Sequence, residues 1–278
     1  MRPGVAAVAG NVKVGNRVTM LTVWQSIEYV TSQNLDRRAY AVLNGVTVVP
    51  GAIGAWRRSA VNAVGGYVSD TLAEDMDLTF RLRRAGWRIA ADAEAVGWTE
   101  APERFRPFLR QRFRWAFGSL QVLWKHRGAL LRYGWFGRLV LPSQWLFGIV
   151  FQILGPLVDL RLLYAVLAVL LSRVGSPEFD PLPQLARILA QTGFFYGLFF
   201  LVELGVAVAA FRLEREDMKQ LWWLFWQRFV YRQTMYYVLW QAVIGAMKGK
   251  RQGWGKLQRT GTVNIEPRAA LPEVPATG

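Results

Sequence analysis

The first candidates for chemistry are four carboxylates crowded into eight residues: Asp70, Glu74, Asp75 and Asp77. They stand at the start of a helical pattern rich in arginine, where a carboxylate can act as a general base or bind a cation. A structural alternative stays open, because Thr71 and Glu74 have the spacing of a capping box and acids at a helix start are favoured by the helix dipole. The pattern alone favours capping.

The second candidate is the segment RPFLRQRFRWAFGSL, in which Gln111, Arg114 and Trp115 share one face of a predicted helix. Arg106 and Arg110 extend a basic stripe to Arg114 at steps of four. Guanidinium groups donate in a planar fork to phosphate oxygens, and an indole offers a platform for a sugar or a base. An amphipathic helix on a membrane surface, with arginines toward lipid phosphates, explains the pattern equally well.

Composition removes most other kinds of active site. The chain has no cysteine, which excludes disulfides, thiolate nucleophiles, cysteine zinc sites and iron–sulfur clusters. His126 is the single histidine, so a multi-histidine metal cluster is impossible and acid–base work falls to carboxylates. Lys and Arg number 34 against 19 Asp and Glu, a net charge of +15 that suits phosphate-bearing partners.

The elements that would position these residues form a mixed α/β region over residues 1–103. VAAVAGNVKV at 5–14 reads as a strand, 18–43 has helical spacing, and 46–56 reads as a strand and turn. A further helix over the MDLTFRLRR segment should end at Gly86, before a short strand WRIA.

The rest of the chain reads as membrane helices, because 53% of all residues are hydrophobic. Residues 139–172 would make a helix of about 51 Å, too long for one straight crossing of roughly 30 Å. Gly155-Pro156 predicts a break, giving helices near 139–158 and 160–172. Residues 187–211 form a clear span whose only interior charge is Glu203.

The last apolar segment carries Arg228 and Arg232 on one helical face. It either crosses with that face turned inward or lies partly in the interface. The basic tail predicts a cytoplasmic location for itself and for the front half by the positive-inside rule. We therefore expect amphipathic interface helices at 104–135, a transmembrane region at 136–247 and a basic cytoplasmic tail at 248–278.

In combination the two clusters resemble the processive family 2 glycosyltransferases, which are the cellulose, chitin, hyaluronan and poly-N-acetylglucosamine synthases. The E-D motif of that family matches Glu74 and Asp75, and its Q-x-x-R-W motif begins at Gln111. GAIGAWRR at 51–58 resembles the glycine-containing segment near the acceptor, and GWGKLQRTG at 253–261 resembles a basic segment after the last helix.

The resemblance implies a GT-A domain at the cytoplasmic face of the plasma (inner) membrane, beside a multi-pass channel for the polymer. Asp75 would be the general base and Glu74 would position it, while the diphosphate and the acceptor sugar would be bound by the second motif. The substrate-binding residues implied by the resemblance are Gln111, Arg112, Arg114, Trp115, Gly51 and Gly54. The implied reaction transfers a sugar, with N-acetylglucosamine favoured, from a UDP-sugar to a growing polysaccharide acceptor.

One departure limits the resemblance. The family binds a divalent metal, Mg²⁺ or Mn²⁺, through a D-x-D motif that should precede the strand at 5–14, and no such motif occurs there. The only D-x-D in the chain is Asp75-Met76-Asp77, and its use as a metal site is the runner-up interpretation. We therefore expect no metal ligands in this chain and a carboxyl-terminal portion of a synthase that is inactive unless a separate amino-terminal half completes it.

Two other classes of function are compatible with parts of the sequence. A non-catalytic membrane subunit that forms a polysaccharide channel would have the same helices and is the alternative function. Nucleic acid is not an expected partner, because no helix-turn-helix, zinc or aromatic RNA motif is recognisable and membrane flanks account for the arginines.

Overall fold

The computed structural model describes residues 3–175, 182–249 and 261–262. Its front part contains a three-stranded mixed sheet in which β1 is central, with β2 antiparallel on one side and β3 parallel on the other. The expected α/β character is thus confirmed. The strands are β1 Val5–Val14, β2 Gly54–Trp56 and β3 Arg88–Thr99.

Strand β1 is almost fully buried, as a continuous apolar run predicts for a central strand. Its predicted bounds are confirmed, whereas β3 is much longer than the short strand expected there. The strand predicted to begin at residue 46 is wrong, because only residues 54–56 pair with β1. Val46 and Val49 are buried in the core instead, and Pro50 starts a turn by accepting a hydrogen bond from the Ile53 N–H at 3.1 Å.

The helices of the front part pack against this sheet. Residues 20–42 run helically throughout, with a π-helical turn at Tyr29–Asn34 between α1 and α2. Asn34 and Arg37 each donate to a β1 carbonyl at 3.0 Å, which fixes the π turn and α2 across the strand. The remaining helices of this part are α1 Met20–Glu28, α2 Leu35–Val42, α3 Arg58–Ala63, α4 Glu74–Arg84 and α5 Phe105–Lys125.

Helix α4 carries the acidic cluster in its first turn and ends before Gly86, whose φ of +87° is the left-handed conformation expected of a helix terminator. The N-cap residue is Ala73, and no side chain caps the helix. The capping box predicted for Thr71 and Glu74 is therefore wrong. The acids at this helix start are not explained by capping hydrogen bonds.

Helix α5 is held close to the start of α4. A β-carbon placed on Gly118 would lie 2.8 Å from the backbone nitrogen of Ala73, so only glycine allows this approach. Next to it, the Leu72 N–H donates to Oε1 of Gln121 at 2.9 Å. The two motif-bearing helices are thereby fixed against each other.

The back part of the described chain consists of long apolar helices. Helix α7 continues through Pro156, so the predicted break and the separate helices near 139–158 and 160–172 are wrong. Gly155 instead gives room to Tyr236 of the last helix, and a proline removes only one hydrogen bond, which a helix can accept by bending. The bounds are α6 Leu141–Trp145, α7 Phe151–Gly175, α8 Leu182–Glu214 and α9 Trp222–Met247, with π-helical turns at Phe136–Val140 and Leu146–Val150 and short 3₁₀ turns at Arg127–Ala129 and Met218–Leu221.

Two stretches, Phe136–Ala168 and Arg187–Glu214, are long and apolar enough to cross a bilayer by length and composition. Two arginines of α9 form ion pairs with acids on these stretches: Arg228 with Glu203 at 2.6 Å, and Arg232 with Asp159 at 3.2 Å. The arginine face of α9 is therefore turned toward α7 and α8. The sequence left two arrangements of α9 open, and this contact favours the one in which the helix crosses with its arginine face turned inward.

The Gly118 contact yields a stability prediction. Gly118→Ala should destabilise the protein by about 1–3 kcal/mol, because overpacking against backbone exceeds the gain of about 1 kcal/mol from alanine in a helix. Thermal unfolding of the purified chain measures the effect. Gly128→Ala is the control, since no atom lies within 4 Å of its added carbon, and equal melting temperatures for both variants would contradict the close α4–α5 contact.

Candidate active site

The centre of the site is the carboxylate of Asp75, in the first turn of α4. It accepts hydrogen bonds from the backbone N–H groups of Met76, at 2.8 Å, and Gly51. Gly51 is exposed, and Gly54 sits so close to Val49 that a β-carbon there would lie 2.7 Å from its Cγ1. The structure thus brings the glycine-containing segment directly to the candidate base.

The electrostatics around Asp75 make it more basic. Burial raises its pKa, and the backbone hydrogen bonds and the charge of Arg114 only partly oppose this. Burial likewise raises the pKa of Glu74, where the neighbouring Asp75 charge adds to the effect and Arg114 again opposes it. Arg114 is half-buried and acts on both carboxylates, so the second motif meets the first at this point.

The other two acids of the cluster have a different role. Asp77 is fully buried and lies 2.8 Å from each of three cationic or imidazole groups, on Arg81, Lys125 and His126. Burial alone would raise its pKa, but the hydrogen bonds from these groups outweigh it and hold the pKa of Asp77 well below the ordinary range. Asp70 pairs with the same Lys125 at 2.8 Å.

This arrangement disagrees with a metal site at Asp75-Met76-Asp77. Residues two apart on a helix point in different directions, and the Asp77 carboxylate is engaged in ion pairs on the side away from Asp75. Within residues 3–175, 182–249 and 261–262, no group of three or more His, Cys, Asp or Glu could hold a metal ion. The described donors therefore do not fit a divalent cation.

Gln111 lies on the predicted face of α5 and is 8% exposed. Its Oε1 is buried, and no described residue donates a hydrogen bond to it. Native structures rarely leave such an oxygen unsatisfied, so this acceptor points to a ligand group or a water as its partner.

Arg112 is only 2% exposed, and its guanidinium is occupied within the protein. It donates to Oε1 of Glu28 at 2.8 Å and to the hydroxyl of Tyr231 at 2.9 Å, and Tyr231 in turn donates to Glu28. The direct substrate contact expected of Arg112 from the sequence stays a prediction, beside this internal role that the structure gives it. A buried ion pair links α1, α5 and α9 at this residue.

Trp115 stands next to this ion pair. The Arg112 guanidinium carbon lies 4.5 Å from the indole centroid, and the ring of Tyr29 packs at 6.3 Å. Burial raises the pKa of Tyr29 to about 12, so its phenol stays neutral at physiological pH. Trp115 is half-buried and held in place, which is what a stacking platform needs.

A groove of about 720 Å³ opens beside Glu74. Trp56 packs edge-on against Tyr67, one of the groove residues, at 6.1 Å between centroids. Sequence reasoning missed Tyr67, Glu28 and Tyr231. An aromatic residue three positions before the acidic cluster is the local signal that could have drawn attention to Tyr67. The groove is lined by Tyr67, Val68, Ser69, Asp70, Thr71 and Glu74.

Comparison with known proteins gives the family. Residues 1–175, which contain both motifs, match the family described as glycosyl transferase family group 2. The chain belongs to this family. It is 31% identical over 121 residues to a poly-beta-1,6-N-acetyl-D-glucosamine synthase of Staphylococcus aureus (strain COL), a match over 44% of this chain and 29% of that protein.

A second relative, the poly-beta-1,6-N-acetyl-D-glucosamine synthase of Staphylococcus epidermidis, is 23% identical over 270 residues, or 95% of this chain and 62% of that protein. The resemblance to processive family 2 synthases is thus confirmed, and the chain spans less than two thirds of the length of either relative. Among solved structures, a mannosyltransferase of Pyrobaculum calidifontis in complex with GDP-Man and Mn²⁺ is 14% identical with a TM-score of 0.41, over 90% of this chain and 56% of that one.

The Asp77 ion pairs yield a pH-dependent prediction. The folded pKa of Asp77 lies below the unfolded value of about 4, so its stabilisation is complete above that value and is lost as the pH falls through the folded pKa. Asp77→Asn should cost about 3–5 kcal/mol at pH 7, and the difference from the unmodified protein should shrink below about pH 4.

Denaturant unfolding at pH 7 and pH 3.5 measures both effects. Asp70→Asn is the matched control, since this carboxyl is half exposed and its pair with Lys125 contributes about 1 kcal/mol or less. Equal losses in the free energy of unfolding for the two variants at pH 7 would contradict the buried cluster of ion pairs at Asp77.

A stability measurement distinguishes the two interpretations of Arg112, as the centre of a buried ion pair or as a direct substrate contact. Arg112→Lys keeps the charge but loses the planar fork, so we expect a loss of about 2–4 kcal/mol in the free energy of unfolding. Thermal unfolding measures it, with the exposed Arg110→Lys on the same helix as the control. Unchanged stability in Arg112→Lys would instead support the direct substrate contact expected from sequence.

Proposed function

We propose that this chain carries the acceptor side of an inverting, processive glycosyltransferase site, which transfers a sugar from a UDP-sugar to a growing polysaccharide. N-acetylglucosamine is the favoured sugar, because both synthase relatives are named for its polymer. The observation that carries the proposal is the meeting of a half-buried Asp75 of raised pKa with Arg114 and Gly51, three residues from three separate motifs.

In the proposed reaction, Asp75 accepts the proton of the acceptor hydroxyl as that oxygen forms a bond to the anomeric carbon of the donor. The bond between this carbon and the diphosphate oxygen breaks, and the electron pair leaves with UDP. Raised basicity suits Asp75 for the proton transfer, and a carboxylate base contributes about 10²–10⁴-fold to such a rate. Glu74 adjoins it and keeps the local charge negative before the proton arrives.

The departing diphosphate needs positive charge and hydrogen-bond donors. Arg114 provides the charge beside Asp75, and the amide of Gln111 provides a donor on the same face of α5. Trp115 provides the platform for the acceptor sugar, and Arg112 acts as a positioning residue for it rather than as a ligand. The described residues do not fit a divalent metal, so no step is assigned to one.

We place the long apolar helices in the plasma membrane, with the α/β part on its cytoplasmic face. Two stretches have the length and composition of spans, and both arginines on the inner face of α9 pair with acids of α7 and α8, as charges within lipid are expected to do. The basic tail predicted at 248–278, with its GWGKLQRTG segment, lies almost entirely outside the described residues. UDP-sugar, glycan acceptor and lipid bilayer are the partners in this proposal.

The test is sugar transfer in membranes that contain the chain together with the donor-binding half of a related synthase. Asp75→Asn should lower incorporation from a radiolabelled UDP-N-acetylglucosamine by at least about 10²-fold, because the amide cannot take the proton. Asp92→Asn, at an exposed position of β3, should leave incorporation unchanged.

Full incorporation with Asp75→Asn would overturn the assignment of the base. That outcome would favour the non-catalytic channel subunit, for which the Asp75 carboxylate has no chemical role.

A further inference from the structure

The loop between α3 and α4 is built to hold an aromatic residue in a fixed, exposed position. Gly65 and Gly66 have φ values of +83° and +70°, which side chains other than glycine rarely allow. Arg81 clamps this turn by donating to the carbonyls of Val64 at 2.5 Å and Gly66 at 2.6 Å. The turn presents Tyr67, whose side chain is 55% exposed.

The far end of the loop is fastened as well. Lys125 pairs with Asp70 at 2.8 Å, and the Leu72 N–H donates to Gln121, both from α5. Arg81 itself is anchored by the buried Asp77 at 2.8 Å. Contacts from both α4 and α5 therefore hold the loop in one conformation. Surface loops are usually more mobile, and a rigid one is typical of a binding segment.

The groove under this loop combines the groups that bind a carbohydrate. Tyr67 offers an aromatic face supported by Trp56, and Asp70 and Glu74 offer carboxylate oxygens for sugar hydroxyls. Thr71 lines the same groove and is 4% exposed, and no residue in the described ranges is a hydrogen-bond partner of its hydroxyl. A buried polar group without a partner in a groove wall indicates a ligand or water partner.

The charge of the lining disfavours the donor's diphosphate as the occupant, since the described residues that line the groove include the carboxylates of Asp70 and Glu74 and no cation. Its volume of about 720 Å³ falls within the range of about 300–1,000 Å³ typical of small-molecule sites. The groove ends at Glu74, which is adjacent to Asp75. An uncharged, hydroxyl-rich ligand that reaches toward Asp75 matches the charge, the volume and the position of the groove.

We propose that the Tyr67 groove is a saccharide subsite, in which Tyr67 stacks on a sugar unit of the acceptor glycan that lies outside the Asp75 and Trp115 position. The proposal rests on the proposed function for the identity of the glycan. It adds a binding determinant outside both motifs and predicts that longer acceptors bind more tightly than single sugars.

The experiment measures binding of a β-linked N-acetylglucosamine pentasaccharide to the detergent-purified chain, by titration with saturation-transfer NMR and without turnover. Tyr67→Ala should weaken binding about fivefold to tenfold, and Tyr67→Phe, which keeps the ring, should restore most of it. Tyr133→Ala, an exposed tyrosine outside the groove, should bind as the unmodified chain does. Melting temperatures of all variants show that they are folded.

Pentasaccharide binding that is equal in Tyr67→Ala and Tyr133→Ala would overturn the subsite, as would no binding by the unmodified chain. Loss of UDP binding rather than saccharide binding in Tyr67→Ala would overturn it too, because the groove would then hold the nucleotide. Trp115→Ala separates the two proposals. If it binds normally while Tyr67→Ala does not, the subsite stands and the proposed role of Trp115 falls.

Discussion

The carboxylate of Asp77 is the interaction on which the rest of the site depends. It is fully buried between α4 and the end of α5, and its three partners reach it from both helices. Leaving such a charge without partners would cost several kcal/mol, so the two helices are fixed relative to each other. Through Arg81 the same carboxylate also fixes the turn that presents Tyr67. One buried charge thereby positions the candidate base, the face of α5 proposed to bind phosphate, and the groove.

A second buried charge connects this site to the back part of the chain. Arg112 and Glu28 pair at 2.7 Å under Trp115, and the hydroxyl of Tyr231 completes the network from α9. Because α9 packs along α5 and also carries the arginines paired to α7 and α8, the indole platform and the apolar helices share one framework. In the proposed function, a polymer leaving along these helices would therefore start from a platform that they hold in place.

The sequence predicted those elements well for which the information is local. The β1 run, the glycine that terminates α4 and the shared face of Gln111, Arg114 and Trp115 follow from periodicity alone. Pairings across long separations could not be predicted, because nothing in the local pattern ties Arg112 to Tyr231, 119 residues away. The close approach of Gly118 to Ala73 at the start of α4 is likewise a contact between distant segments that the local capping-box pattern does not contain. The break at Pro156 failed because the neighbouring helix packs against Gly155 and the helix continues.

The central claim is that Asp75 meets the acceptor hydroxyl. The most direct measurement is an experimental structure of the chain with a bound N-acetylglucosamine oligosaccharide and UDP. We predict a sugar hydroxyl oxygen within about 2.6–3.2 Å of the Asp75 carboxylate, with the sugar against Trp115. An oligosaccharide bound along the apolar helices alone, with Asp75 facing only solvent and Gly51, would contradict it.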